Sequence, residues 1–123
     1  MPKKKDSKPS SVKTIYDLQA EICAALAHPV RLQILDLVSI GEKTSSDLLE
    51  NVQVPKANLS QHLAVLKDAG IIETRREGLF QYHRLAIPRI KEACALVRSL
   101  LVERISQQEK KNSELMRELR AQR

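Results

Sequence analysis

The chain has 123 residues, 42% of them apolar, yet its only aromatics are Tyr16, Phe80 and Tyr82. That length suits one ordinary domain with extensions. A core of Leu, Ile, Val and Ala favours helices over a β-sandwich. Cys23 and Cys94 are the only cysteines, which excludes a multi-disulfide scaffold and a CxxC zinc pair. No stretch approaches the ~18 consecutive apolar residues of a membrane span, and the basic start lacks an apolar core, so the expectation is a soluble, cytoplasmic chain with no membrane partner. Twenty-one Lys and Arg against 15 Asp and Glu leave a formal charge of +6. The excess collects in residues 1–13 and again in residues 54–89, a distribution that suits a polyanionic partner.

Residues 1–13, with Lys3, Lys4, Lys5, Lys8 and Lys13 among Ser and Pro, read as a disordered basic arm. Ile15, Leu18, Ile22 and Leu26 then recur at helical spacing, and the helix should end before Pro29. Pro29 is placed to open a second, buried helix carrying Leu32, Ile34, Leu35 and Val38, which Gly41 closes. Thr44 with Asp47 forms a capping pair for a short helix. Asn51 to Val54 is a turn, and Pro55 starts a helix with Leu59, Leu63 and Leu66 on one face and Gly70 at its end. The other face carries Lys56, Asn58, Ser60, Gln61 and His62. IIETRREGLFQYHRLA reads as a hairpin turning at Glu77-Gly78. Pro88 opens the last helix, with Ile90, Cys94, Val97 and Leu101 as an apolar stripe. Beyond Arg104 a polar-centred 3-4 spacing runs through positions 101, 105, 108, 112, 115, 119 and 122.

This order predicts a mainly α fold with a small β-hairpin, a winged helix-turn-helix of order α-α-α-α-β-β-α with an extended C-terminal helix. Its expected divisions are the arm 1–13, a DNA-binding and dimerisation domain 14–103, and a charged helical extension 104–123. A major groove ~12 Å wide admits one helix, and a hairpin beside it reaches the backbone or minor groove. The helix after Pro55 is the reading helix in this scheme. Asn58 and Gln61 suit adenine edges, Ser60 and His62 suit phosphates or bases, and Lys56 suits guanine or phosphate. At the wing, Arg75 and Arg76 are candidates for phosphate or minor-groove contact, with Gly78 permitting the turn.

LAHPVRLQIL (26–35), ANLSQHLAVLKDAGII (57–72) and TRREGLFQYHRLA (74–86) resemble the ArsR/SmtB family of transcriptional repressors. The resemblance implies a homodimer joined through its first and last helices, bound to a palindromic double-stranded operator and released by an effector. Leu18, Ile22, Ile90, Val97 and Leu101 are the expected interface residues. The cysteine motif that metal-sensing members carry on the short helix is missing from TSSDLLEN, and residues 89–105 contain no histidine, so neither a metal nor another cofactor is expected and the effector is open. Cys23 and Cys94 read first as small buried residues in a dimer core, and second as sensing thiols. His28 reads as a helix-end residue bonded locally, and His83 as an exposed wing residue. No Gly-rich phosphate loop, HExxH or GxSxG is present, which argues against an enzyme. The competing reading is a winged-helix protein-interaction module, which should present apolar anchors where this chain has Lys56, Asn58 and Gln61.

Overall fold

Thr14 starts the first helix by a device that the apolar spacing did not show. Its hydroxyl accepts from the Asp17 backbone N–H at 3.1 Å, and Asp17 accepts from the Thr14 N–H at 2.9 Å, closing a reciprocal cap. The computed structural model describes residues 12–122, so the expected basic arm lies, up to residue 11, outside the described residues. In order the elements are α1 (Ile15–Leu26), α2 (Pro29–Ile40), β1 (Lys43–Thr44), α3 (Ser45–Asn51), α4 (Lys56–Asp68), β2 (Ile72–Glu77), β3 (Phe80–Leu85) and α5 (Ile90–Ala121). They fall into two units, one reaching Pro88 and one beginning at Arg89.

In the first unit, Pro29 occupies the first turn of α2 and His28 caps it, Nδ1 accepting from the Val30 N–H at 3.1 Å. Thr44 and Asp47 cap α3 reciprocally, as their spacing predicts. Pro55 stands one position earlier than expected, as the N-cap of α4. Gly70 ends α4 in the left-handed region at φ 75°. Its N–H donates to the Lys67 carbonyl at 2.9 Å, and Ile71 N–H donates to the Leu66 carbonyl at 3.0 Å. This Schellman closure satisfies two terminal carbonyls and leaves Leu66 and Ile71 fully buried side by side in the chain reversal.

The core joins Ala25 of α1, Ile34, Leu35 and Val38 of α2, Leu48 of α3, and Leu59, Leu63 and Leu66 of α4 to Val52, Ile71 and Ile72. Each such large side chain contributes about 1.5–3 kcal/mol by leaving water. The winged helix-turn-helix is the architecture of this unit, with one addition. The hairpin is part of a three-stranded antiparallel sheet of order β1-β3-β2, with Lys43 opposite His83 and Thr44 opposite Tyr82. Two residues are too few to show strand alternation, so β1 exists because β3 offers it an edge.

His83 is the clearest departure from expectation: it is 1% exposed rather than on the wing surface. In β3 its side chain points inward, where Nε2 meets Ser45 Oγ and Nδ1 meets Thr74 Oγ1, both at 2.8 Å. One imidazole thus ties the start of α3 to both strands of the wing. Two hydroxyls that can donate or accept match the neutral ring, and burial pushes the His83 pKa below its usual 6.5.

The second unit is α5 alone, 32 residues and about 48 Å at 1.5 Å per residue. Arg89 rather than Pro88 is its N-cap. Ile90 is buried and Cys94 half-buried, whereas Val97 and Leu101 are exposed.

His83 sets a pH dependence. Imidazole binds protons more weakly in the folded protein than in the unfolded chain, so stability is complete above about pH 6.5 and falls as the pH drops below it. Thermal melts between pH 7 and pH 5 are expected to show a falling Tm, with a shallower fall in His83→Gln.

Candidate nucleic-acid interface

Burial of Leu59, Leu63 and Leu66 decides which side chains of α4 remain in water. At about 100° per residue, Gln61 lies roughly opposite the mean direction of those three leucines. Lys56, Asn58, Ser60 and Gln61 are all exposed. The first turn of α4 has no acidic residue and no side-chain cap, so its positive end is open to an anion.

His62 is placed differently. It is half-buried on the flank of α4, its ring 4.3 Å from the His28 ring and its Nδ1 3.3 Å from an Arg31 guanidinium nitrogen. Arg31 also donates to the carbonyls of Ala25 at 2.6 Å and Ala24 at 3.1 Å. Arg31 therefore closes the C-terminal end of α1 and holds α4 from behind. Burial, together with the neighbouring His28 and Arg31, lowers the His62 pKa. The sequence reading assigned no role to Arg31, whose partners lie on two other elements.

The two wing arginines have different electrostatic surroundings. Arg75 is held bidentately by Glu42, at 3.1 and 2.8 Å, and by Glu77 at 2.5 Å, with its guanidinium 4.4 Å from the Tyr82 ring centroid. The carboxylates hold Arg75 firmly protonated, and Arg75 lowers the Glu42 pKa. Its charge is spent on the wing itself. Arg76, one residue on and directed to the other face of the strand, has no carboxylate partner among the described residues, nor do Lys56 and Lys67.

These three unmatched cations meet in one place. A groove of about 530 Å³ runs between α3, α4 and the wing, lined by Ser46, Lys56, Ser60, Lys67, Arg76, Leu79 and others, with His83 at its base. Asn58 and Gln61 are not among its lining residues and lie farther round α4. Lys67 counts toward the basic excess of residues 54–89 but had no site role in the sequence reading; its 11-residue separation from Lys56, three helical turns, was the available signal. Gly78, with φ 62°, and Leu79 make the two-residue wing turn, and Leu79 is 94% exposed. Among the described residues no group of three or more His, Cys, Asp or Glu side chains is placed to hold a metal ion, and no single helix is long and apolar enough to cross a membrane.

Comparison with known proteins identifies the family and agrees with the fold. The profile of bacterial regulatory proteins of the arsR family matches residues 28–74, from the α2 cap into β2. An uncharacterized HTH-type transcriptional regulator of Mycobacterium tuberculosis, Rv0081, is 40% identical over 75% of this chain and 82% of its own length. The chain belongs to the ArsR family of transcriptional regulators. The Rv0081 crystal structure superposes with a TM-score of 0.71 at 36% identity, covering 83% of this chain and 98% of that one. A homodimeric winged helix-turn-helix DNA-binding domain from Mycobacterium bovis, solved by NMR, gives a TM-score of 0.68 at 34% identity over 76% of this chain and 86% of its own. A probable mercury resistance operon repressor of Streptomyces lividans is 33% identical over 68% of this chain and 67% of its length. These ArsR-family relatives are regulators, not enzymes.

The contrast between the wing arginines is testable on this ArsR-family chain. Arg76→Ala is expected to reduce the slope of log affinity against log salt for DNA by about one unit. Arg75→Ala should leave the slope in place, because its charge is already matched by Glu42 and Glu77. Titrations across a salt series read both.

Proposed function

We propose that the chain is a homodimeric repressor that reads a palindromic operator through α4 and seats the wing on the flanking backbone. Convergence of Lys56, Lys67 and Arg76 on one groove, beside the outward amides of α4, is the observation that carries this reading. Asn58 and Gln61 then pair with base edges, while Lys56, Ser60, Lys67 and Arg76 hold phosphates. Gly78 brings the wing backbone close to the duplex. Leu79 adds apolar contact at the wing tip, as a thymine methyl or a sugar would accept. His62 supports α4 against α2, and Arg75 shapes the wing.

Dimerisation would cover apolar surface that a single chain leaves in water. Ile15, Tyr16 and Leu18 on α1, and Val97 and Leu101 on α5, are each more than 45% exposed, which is unfavourable for a soluble monomer. A two-fold axis through that contact would place two α4 helices on successive major-groove faces about 34 Å apart. Release through thiol chemistry belongs to the same proposal. Cys23 is exposed on α1 next to Ile22, so an adduct there would alter the contact that sets the spacing of the reading helices. Cys94 is half-buried on α5.

A gel-shift titration on DNA upstream of the protein's own gene tests this, run reduced, oxidised, with polysulfide and with arsenite. Gln61→Ala is expected to lose about 1–3 kcal/mol on the operator while keeping its affinity for random DNA. Equal losses on both would remove Gln61 from base reading. Failure to bind any DNA would favour the protein-interaction module, and identical shifts in all four conditions would reject the thiol route.

A further inference from the structure

The groove between α3, α4 and the wing has a lining that a row of phosphates alone does not explain. Lys56, Lys67 and Arg76 line it and no Asp or Glu does. None of the three cations has a carboxylate partner among the described residues. Arg76 and Gln81 pair across the wing, and strand alternation puts them on the same sheet face as Thr74 and the inward His83. The Lys67 charge weakens the basicity of His83, so positive potential reaches the base of the groove. Between these cations the wall is apolar, formed by Leu49, Leu59, Leu63 and Ala64, with the hydroxyls of Ser46 and Ser60 beside it. Its volume of about 530 Å³ lies within the span of about 300–1,000 Å³ usual for small-molecule sites, which combine an apolar lining with a few placed polar groups.

We propose that this groove binds a small organic anion with an apolar body, an aryl or medium-chain acyl carboxylate, and that such a ligand and DNA exclude each other. Charge selects the head of the ligand and the wall selects its body. A carboxylate matches the paired N–H donors of the Arg76 guanidinium and accepts a further charge-assisted hydrogen bond from a lysine ammonium. An aryl ring or short acyl chain covers Leu49, Leu59 and Leu63, which a bare phosphate leaves in water. A neutral apolar molecule covers that wall but strips water from three cations without supplying a counter-charge. Only a ligand carrying both parts fits the whole lining. The site lies wholly within the winged unit, so it needs no second copy. Exclusion of DNA rests on the operator reading above, because it requires Lys56, Lys67 and Arg76 to be the groups that hold phosphates; binding of the anion does not.

Isothermal titration calorimetry of the full chain with 2-naphthoate and with octanoate tests the site. At least one carboxylate is expected to bind about tenfold more tightly than its neutral amide and than inorganic phosphate, and Arg76→Ala combined with Lys67→Ala is expected to lose about tenfold. Both residues of that variant are exposed, and circular dichroism checks that it folds. Arg84→Ala removes a wing arginine already paired with Glu73 and should bind as the parent does. No binding of either carboxylate, equal binding of the amide or of phosphate, or full binding by the double variant would overturn the proposal. Release of a fluorescein-labelled random-sequence duplex separates this proposal from the operator reading: the carboxylate, but not the amide, is expected to displace it. A chain that binds the carboxylate and no duplex supports the site while removing the operator reading. A duplex retained at saturating carboxylate overturns the exclusion.

Discussion

Three leucines on α4 carry the rest of the arrangement. Leu59, Leu63 and Leu66 leave water against α2 and the sheet, and a helix that buries one stripe must present the opposite one. Gln61 faces solvent because those leucines do not. The closure at Gly70 ends the helix and turns the chain straight into β2, so the same burial that aims α4 also sets where the wing begins. Arg31 adds a second hold, joining the end of α1 to His62 on the flank of α4. α4 is thus fixed by apolar packing on one side and a polar clasp on another, so its exposed face is held with little freedom to reorganise.

The wing shows how position in a strand divides apparently equal residues. Arg75 and Arg76 are adjacent, and strand geometry sends them to opposite faces. One finds Glu42, Glu77 and the Tyr82 ring; the other finds the groove with Lys56 and Lys67. Net charge describes the two alike, but only the unmatched one retains attraction for a polyanion. His83 follows the same logic from the inward face. A buried imidazole between two hydroxyls links α3 to the wing, and its weakened basicity makes that link sensitive to acid.

Assembly rests on a different kind of surface. Large apolar side chains stay in water on α1, at Ile15, Tyr16 and Leu18, and on α5, at Val97 and Leu101, surface of the kind that association covers.

Much of this was legible in the residues themselves. Apolar spacing located four of the five helices, Thr44 with Asp47 marked the remaining one, α3, and the Gly-centred turn marked the wing, because each depends on neighbours a few residues away. Asn58 and Gln61 were recognisable as an outward face once the leucines opposite them were counted. Tertiary structure alone decided what depends on residues distant in the chain: the pairing of Lys43-Thr44 with β3, the burial of His83, the turn of His62 toward Arg31, and the division of labour between Arg75 and Arg76. The physical reason is common to all four. Local periodicity reports how a segment would bury its own apolar atoms, but the partner of a polar side chain is chosen by whatever group the fold brings within hydrogen-bonding distance.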